Sequence, residues 1–376
     1  MKAAGASTRL ALSADRLTGI LGAGAVAILA MAVSNLLGVT VFHVAHSPVS
    51  PVMLAVVCGV ALGQLPAVAS RVRSGACFAS CQILQLGIVL VGLKLSFAST
   101  LAIAGRALPV VVACLLVSSL VSILLARALG LRREFGLLIA IGTSVCGCTA
   151  VLASSPLLRV RKEEMGYAIS CVVIMGLTGM LLYPWLAHAS FAADAIAAGV
   201  FLGTSIHDTS QVMGAALLYS QTFAAPGALA AATVAKLLRN LTLVVLLPTL
   251  AIRNSRQDRA VNTGAVTRKP GPWEQLGLLR SAIPPFVLLF ILMVATRNLG
   301  DAAAATGTIP GALWAQIGAA AAHVSEYALT IGMAGVGLTL SVTELPRLGL
   351  RPFVVAAGAA LVVVCASWLL TTAWRP

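Results

Sequence analysis

The sequence predicts an all-α polytopic membrane protein, and three observations carry that prediction. Only 10% of the residues are charged while 59% are hydrophobic, and the mean hydropathy is +1.00. A soluble globular chain carries about 25% charged residues, so the bilayer has to solvate most of this one. Apolar runs of about 20 residues, the length that crosses the hydrocarbon core, recur from end to end. The basic residues behind the net charge of +14 sit in short clusters between those runs. Cytoplasmic loops have that pattern under the positive-inside rule, so the charge reads as a topology signal and nucleic acid is not an expected partner. The 34 glycines fit the close helix packing that membranes require.

The first run, Leu17 to about Val41, follows Lys2, Arg9 and Arg16 and is long enough to span; it reads as an uncleaved helix. Further runs lie near 49–67, 78–97, 105–126, 135–156, 166–187, 193–217, 228–252, 277–297, 318–342 and 352–373, making about eleven segments. The hydrophilic stretch 253–273 carries Arg253, Arg256, Arg259, Arg268 and Lys269 and reads as a cytoplasmic loop. With a cytoplasmic N-terminus, Arg71/Arg73, Arg127/Arg132/Arg133, this loop and Arg347/Arg351 all fall inside. Arg159, Arg161 and Lys162 do not under simple alternation. Either the rule breaks locally, or segment five re-enters and segment seven re-enters from the other face. The eight cysteines are scattered through apolar runs and suggest no disulfide framework.

Two internal likenesses stand out. Gly87-Ile-Val-Leu-Val-Gly-Leu-Lys-Leu-Ser96 matches Gly332-Met-Ala-Gly-Val-Gly-Leu-Thr-Leu-Ser341, and Gly142-Thr-Ser-Val-Cys146 matches Gly203-Thr-Ser-Ile-His207. The offsets differ, so one duplication does not explain both; either would fit an inverted-repeat transporter.

The stretch Ile141-Gly-Thr-Ser-Val-Cys-Gly-Cys-Thr-Ala150 puts Gly142 and Gly147 at bilayer depth, where they predict a broken helix. A half-helix N-terminus carries free N–H groups and partial positive charge, and so suits an anion, with Ser144, Cys146 and Thr149 around it. In segment seven, His207 and Asp208 are adjacent titratable groups within an apolar span, suited to a proton relay, and Gln211 shares the Asp208 face. Lys236 and Arg239, three apart in segment eight, and Lys94 in segment three are candidate counter-charges for an anion. Gly335 and Gly337 suggest a second irregular helix. Cys146 and Cys148 alone are a poor metal pair, so no metal and no cofactor are expected. No phosphate-binding loop, serine-hydrolase elbow or zinc-protease motif occurs, and an enzyme is not expected.

Five stretches, 87–95, 142–150, 207–212, 236–240 and 332–339, resemble the YeiH family of bacterial inner-membrane proteins, for which sulfate export is suggested. The likeness runs in order over nearly the whole chain. It implies a fold similar to bile-acid and sodium/proton transporters: an extra first helix (17–41), a first repeat (42–190) and a second (191–376). Segments five and ten would be the crossing, discontinuous helices. It also implies an inner-membrane location, and a homodimer is the expected assembly for such folds.

The expected function is secondary transport, export of sulfate or another small inorganic or sulfur-containing anion, coupled to protons or sodium. The alternatives are a cation/proton antiporter using Asp208 and an intramembrane enzyme pairing Cys146 with His207. Three cations against one carboxylate favour the anion.

Overall fold

The computed structural model describes residues 14–40, 50–247, 249–250, 285–339 and 349–373, and these are helical with short connections. The 253–273 loop and Arg347 lie outside the described residues. Helix α1 (Ala14–Thr40) is followed by a short α2 (Pro51–Gly63), capped by Ser50 Oγ accepting from Val52 N–H. Next, α3 (Pro66–Phe78) continues through a π-helical turn at Ala79–Ile83 into α4 (Leu84–Val91) and a tight turn at Gly92–Lys94. Helix α5 (Phe97–Ala128) leads to α6 (Arg133–Ser144), α7 (Cys148–Leu158) and α8 (Lys162–Phe191). Then come α9 (Ala195–Ser205), α10 (Thr209–Thr222), α11 (Pro226–Leu241), α12 (Pro285–Ala305), α13 (Gly311–Thr339) and α14 (Arg351–Ala373). Among the described residues, seven helical stretches are long and apolar enough to cross a membrane.

Two of the segments do not cross; they turn back. At about 1.5 Å per residue, α6 and α7 are each under 20 Å long, half a bilayer. A Cβ on Gly142 would lie 2.7 Å from Val151 Cγ2, although nine residues of straight helix span about 13.5 Å. Arg132 Nη2 donates to Glu164 Oε2 at 2.8 Å, so the residues before α6 and those opening α8 stand together. Glu164 is buried between Arg132 and Arg161. The basic cluster 159–162 therefore lies on the same side as Arg132 and Arg133.

The second hairpin, α9–α10, mirrors the first from the far end of α8. His188, in the last turn of α8, stacks flat on Phe223, just past α10, with ring centroids 3.8 Å apart. Trp185 meets the same ring edge-on at 5.4 Å. Asp194 starts α9 by accepting from Ile196 and Ala197 N–H, so both ends of this hairpin sit at one membrane face. Since α8 runs for 30 residues, about 45 Å, the two hairpins enter from opposite faces.

The helices sort into two groups. One comprises α5 to α11 with α14; the other comprises α1 to α4 with α12 and α13. They meet chiefly where α10 touches α13 and α2, and more lightly where α12 touches α5. The two internal likenesses acquire separate meanings in this arrangement. The 142–146 and 203–207 stretches are the equivalent ends of α6 and α9. The 87–96 stretch and the described part of the other, 332–339, lie on helices packed together: a Cβ on Gly87 would strike Leu329, and one on Gly332 would strike Leu84.

Segment ten corrects the expectation of a second crossing break. Helix α13 is continuous through Gly335 and Gly337. These glycines serve close packing: a Cβ would come within 2.7 Å of Ala76 O at Gly335 and 2.5 Å of Val56 O at Gly337. The second discontinuity is in segment seven, at Ile206–Asp208.

Candidate functional site at the hairpin tips

The tips of the two hairpins meet. Gly147, N-cap of α7, has φ +73° and ψ −129°, a conformation only glycine adopts without strain. A Cβ there would sit 2.7 Å from Asp208 Oδ2 and 2.9 Å from Asp208 Cα. Cys148 N–H donates to Asp208 Oδ2 at 3.2 Å. Asp208 is also the N-cap of α10: its Oδ1 accepts from Ser210 N–H at 2.9 Å and from the Ser210 hydroxyl. One half-exposed carboxylate thus bridges the positive ends of two half-helices.

The negative ends have their own partners. Arg239, 0% exposed, donates Nε–H to Ser144 O at 2.5 Å and Nη2–H to Thr143 O at 2.7 Å, both at the end of α6. Its Nη1–H reaches Thr204 O at 2.7 Å, at the end of α9. Lys236, also 0% exposed, donates to Ile206 O at 3.0 Å and to His207 O. Two cations on one face of α11 therefore tie both hairpins to a single helix, satisfying carbonyls that a broken helix leaves unpaired. Asn240, next in the same run, donates to Thr209 Oγ1 at 3.3 Å.

Cys146 is buried in the break. Ser144 offers its carbonyl to Arg239 and turns its hydroxyl back on Ala140 O at 2.6 Å. Thr149 is exposed in the first turn of α7, beside half-exposed Cys148. His207 is buried, with Nδ1 lacking a partner. Gln211 is buried, donates to Val173 O at 2.9 Å and fills the space left by Gly176 of α8. Gly142 lies within α6, and its carbonyl accepts from Gly147 N–H at 3.1 Å, closing the turn. Lys94 is not part of this cluster. It is exposed at the far end of α4, where Arg297 Nη1 donates to the neighbouring Leu93 O, which is where a lysine reaches the interface. No group of three or more potential metal ligands occurs among the described residues. Sequence reasoning passed over Thr143, Ser210 and Asn240; Asn240 had a signal, being adjacent to Arg239 on the polar run of α11.

Replacing Gly147 with alanine is expected to separate the tips. The strained φ alone costs about 1–3 kcal/mol, and the added methyl group displaces the Asp208 carboxylate. Thermal unfolding in detergent should show a drop of several °C, and a variant as stable as the parent would refute the tip geometry.

The chain is similar in sequence to a family of membrane proteins. The family model described as conserved hypothetical protein 698 matches residues 18–356. The UPF0324 membrane protein TauZ of Paracoccus denitrificans is 31% identical over 85% of this chain and 87% of its own. A UPF0324 membrane protein of Pseudomonas aeruginosa is 30% identical over 83% and 82%. The inner membrane protein YeiH of Escherichia coli K12 is 28% identical over 87% and 85%.

Proposed function

The chain belongs to the conserved hypothetical protein 698 family of UPF0324 membrane proteins, and from that premise we propose that it is a secondary transporter of small anions. The observation that supports this most is the convergence of two half-helix N-termini on a single half-exposed carboxylate at the hairpin tips. Each N-terminus carries about half a positive charge and each C-terminus about half a negative one. The four ends cancel. Asp208 then stands against Lys236 and Arg239, leaving the cluster about one unit positive, the sign that attracts an anion. A sodium/proton exchanger needs the opposite sign at its site.

In this reading Asp208 holds the place of the anion in the empty state. The incoming anion takes over the N–H groups of Cys148 and Ser210, and Thr149 lies at the entrance. The sparse contact between the two helix groups supports their relative movement, which would open the tips to either membrane face in turn. Sulfate or a related sulfur oxyanion is the substrate class that the YeiH likeness suggests, with export coupled to protons through His207 and Asp208, or to sodium.

Uptake of labelled sulfate into proteoliposomes, with and without imposed pH and sodium gradients, tests the proposal. Saturable uptake that depends on a gradient and is inhibited by other small oxyanions is the expected result. Sodium/proton exchange without anion flux would replace this reading with the antiporter.

A further inference from the structure

Asp208, Cys148 and Thr149 all belong to the hairpin group and make one wall of the site. Facing α10 across the boundary is the group of α1 to α4 with α12 and α13. Helices α3 and α4 form one span, Pro66–Lys94, interrupted near its middle by the π-helical turn at Ala79–Ile83. A π turn inserts an extra residue and rotates the face that follows; such turns recur at functional sites. Here it packs Ala79 and Ser80 against Gly335 of α13, leaving Cys81, Gln82 and Gln85 exposed.

Two glutamines exposed near the middle of a span call for a physical reason. Among the described residues neither amide has a hydrogen-bond partner. An unpaired amide in hydrocarbon costs several kcal/mol, so this face belongs toward water. Met333 of α13, two residues before the Gly335 on which the π turn packs, reaches Gly214 of α10, so the π turn and α10 share one stretch of α13 and this face lies toward the hairpin group. The main contacts joining the two helix groups run from α10 to α2 and α13 and from α12 to α5. Helix α7 packs on α6 and α8, and its exposed Thr149 and Leu152 lie open.

We infer that Cys81, Gln82 and Gln85 form the second wall of a water-filled crevice, and that the two amides donate hydrogen bonds to the oxygens of a small oxyanion held at the tips. The inference rests on the anion reading above for its ligand. Neutral donors suit a transport site: they select oxygen-bearing anions without adding charge that would hold the substrate too tightly to leave.

The test combines labelling with flux. Reconstituted protein is treated with a membrane-impermeant thiosulfonate bearing a sulfonate group, with its trimethylammonium counterpart, and with a lipid-soluble maleimide; peptide mapping reads each cysteine in the unsubstituted chain. Cys81 is expected to react with the anionic reagent, more slowly in millimolar inorganic sulfate, while buried Cys114 and Cys171 stay unmodified. In Gln85→Glu the anionic reagent should slow several-fold relative to the cationic one, and sulfate flux should fall at least tenfold with a raised KM. Gln82→Leu should also lower flux, with the protein still monodisperse. Reaction of Cys81 with the maleimide alone would place this face in lipid and overturn the inference. Parental flux in both glutamine variants would do the same. If the parent carries no sulfate but Cys81 still reacts with the anionic reagent and sulfate slows it, the wall stands and the transport reading fails.

Discussion

Arg239→Ala is expected to destabilise the protein as well as inactivate it. The guanidinium is fully buried and donates to three backbone carbonyls at the ends of two separate half-helices. Truncation takes that donor from all three carbonyls, of which Thr143 O keeps a contact with His207, and each orphaned buried acceptor costs about 1–3 kcal/mol. Part of that is recovered by water entering the space, so a net loss of about 3–5 kcal/mol is a fair expectation. Arg239→Lys should recover little, because one ammonium lacks the planar fork that reaches α6 and α9 together. Thermal unfolding of the purified variants in detergent, read beside sulfate binding, separates this role from that of a substrate counter-charge. A counter-charge variant would unfold like the parent and lose only binding. If Arg239→Ala behaves so, the tethering role assigned to this residue is wrong.

The same residue shows what the sequence made legible and what it did not. An arginine and a lysine three apart in an apolar helix announce a polar site, and so do Gly147 and the adjacent His207 and Asp208. Their presence in segments five, seven and eight was readable because charge and glycine are costly at bilayer depth. Their partners were not readable, since the carbonyls of Thr143 and Thr204 lie 96 and 35 residues away in sequence. Hydropathy is equally blind to re-entry. A run that crosses straight and one that folds back at Gly147 have the same composition, and the pairing of Arg132 with Glu164 is what closes the hairpin. The basic cluster at 159–162 was the one readable trace, and it left a local break of the rule and a re-entrant segment as alternatives. Glycine misled in segment ten, where a Gly-rich run breaks nothing because it lies against the equally close backbones of α2 and the π turn. The π turn itself shifts the helix by a single residue, too small a slip to show against a continuous apolar background.

Asp208→Asn is expected to separate folding from coupling. Asparagine ranks with aspartate as an N-cap, and its side-chain oxygen still accepts from Ser210 N–H, so α10 keeps its cap. What is lost is the charge facing two helix N-termini, worth about 0.3–1 kcal/mol at each; the variant should therefore fold and unfold within a few °C of the parent. Its function should change far more. If the carboxylate holds the place of the substrate anion, removing its charge leaves two N-termini with no competitor. Equilibrium sulfate binding should tighten, while gradient-driven flux falls at least tenfold because nothing is left to return the empty site. The antiporter reading predicts a different pair of results, loss of sodium/proton exchange with no gain in anion binding. Isothermal titration of sulfate into both proteins, followed by flux in proteoliposomes, distinguishes the two. Weaker sulfate binding in Asp208→Asn would show that the carboxylate supports the anion rather than competing with it, and the helix ends at Cys148 and Ser210 would then not be where the substrate sits.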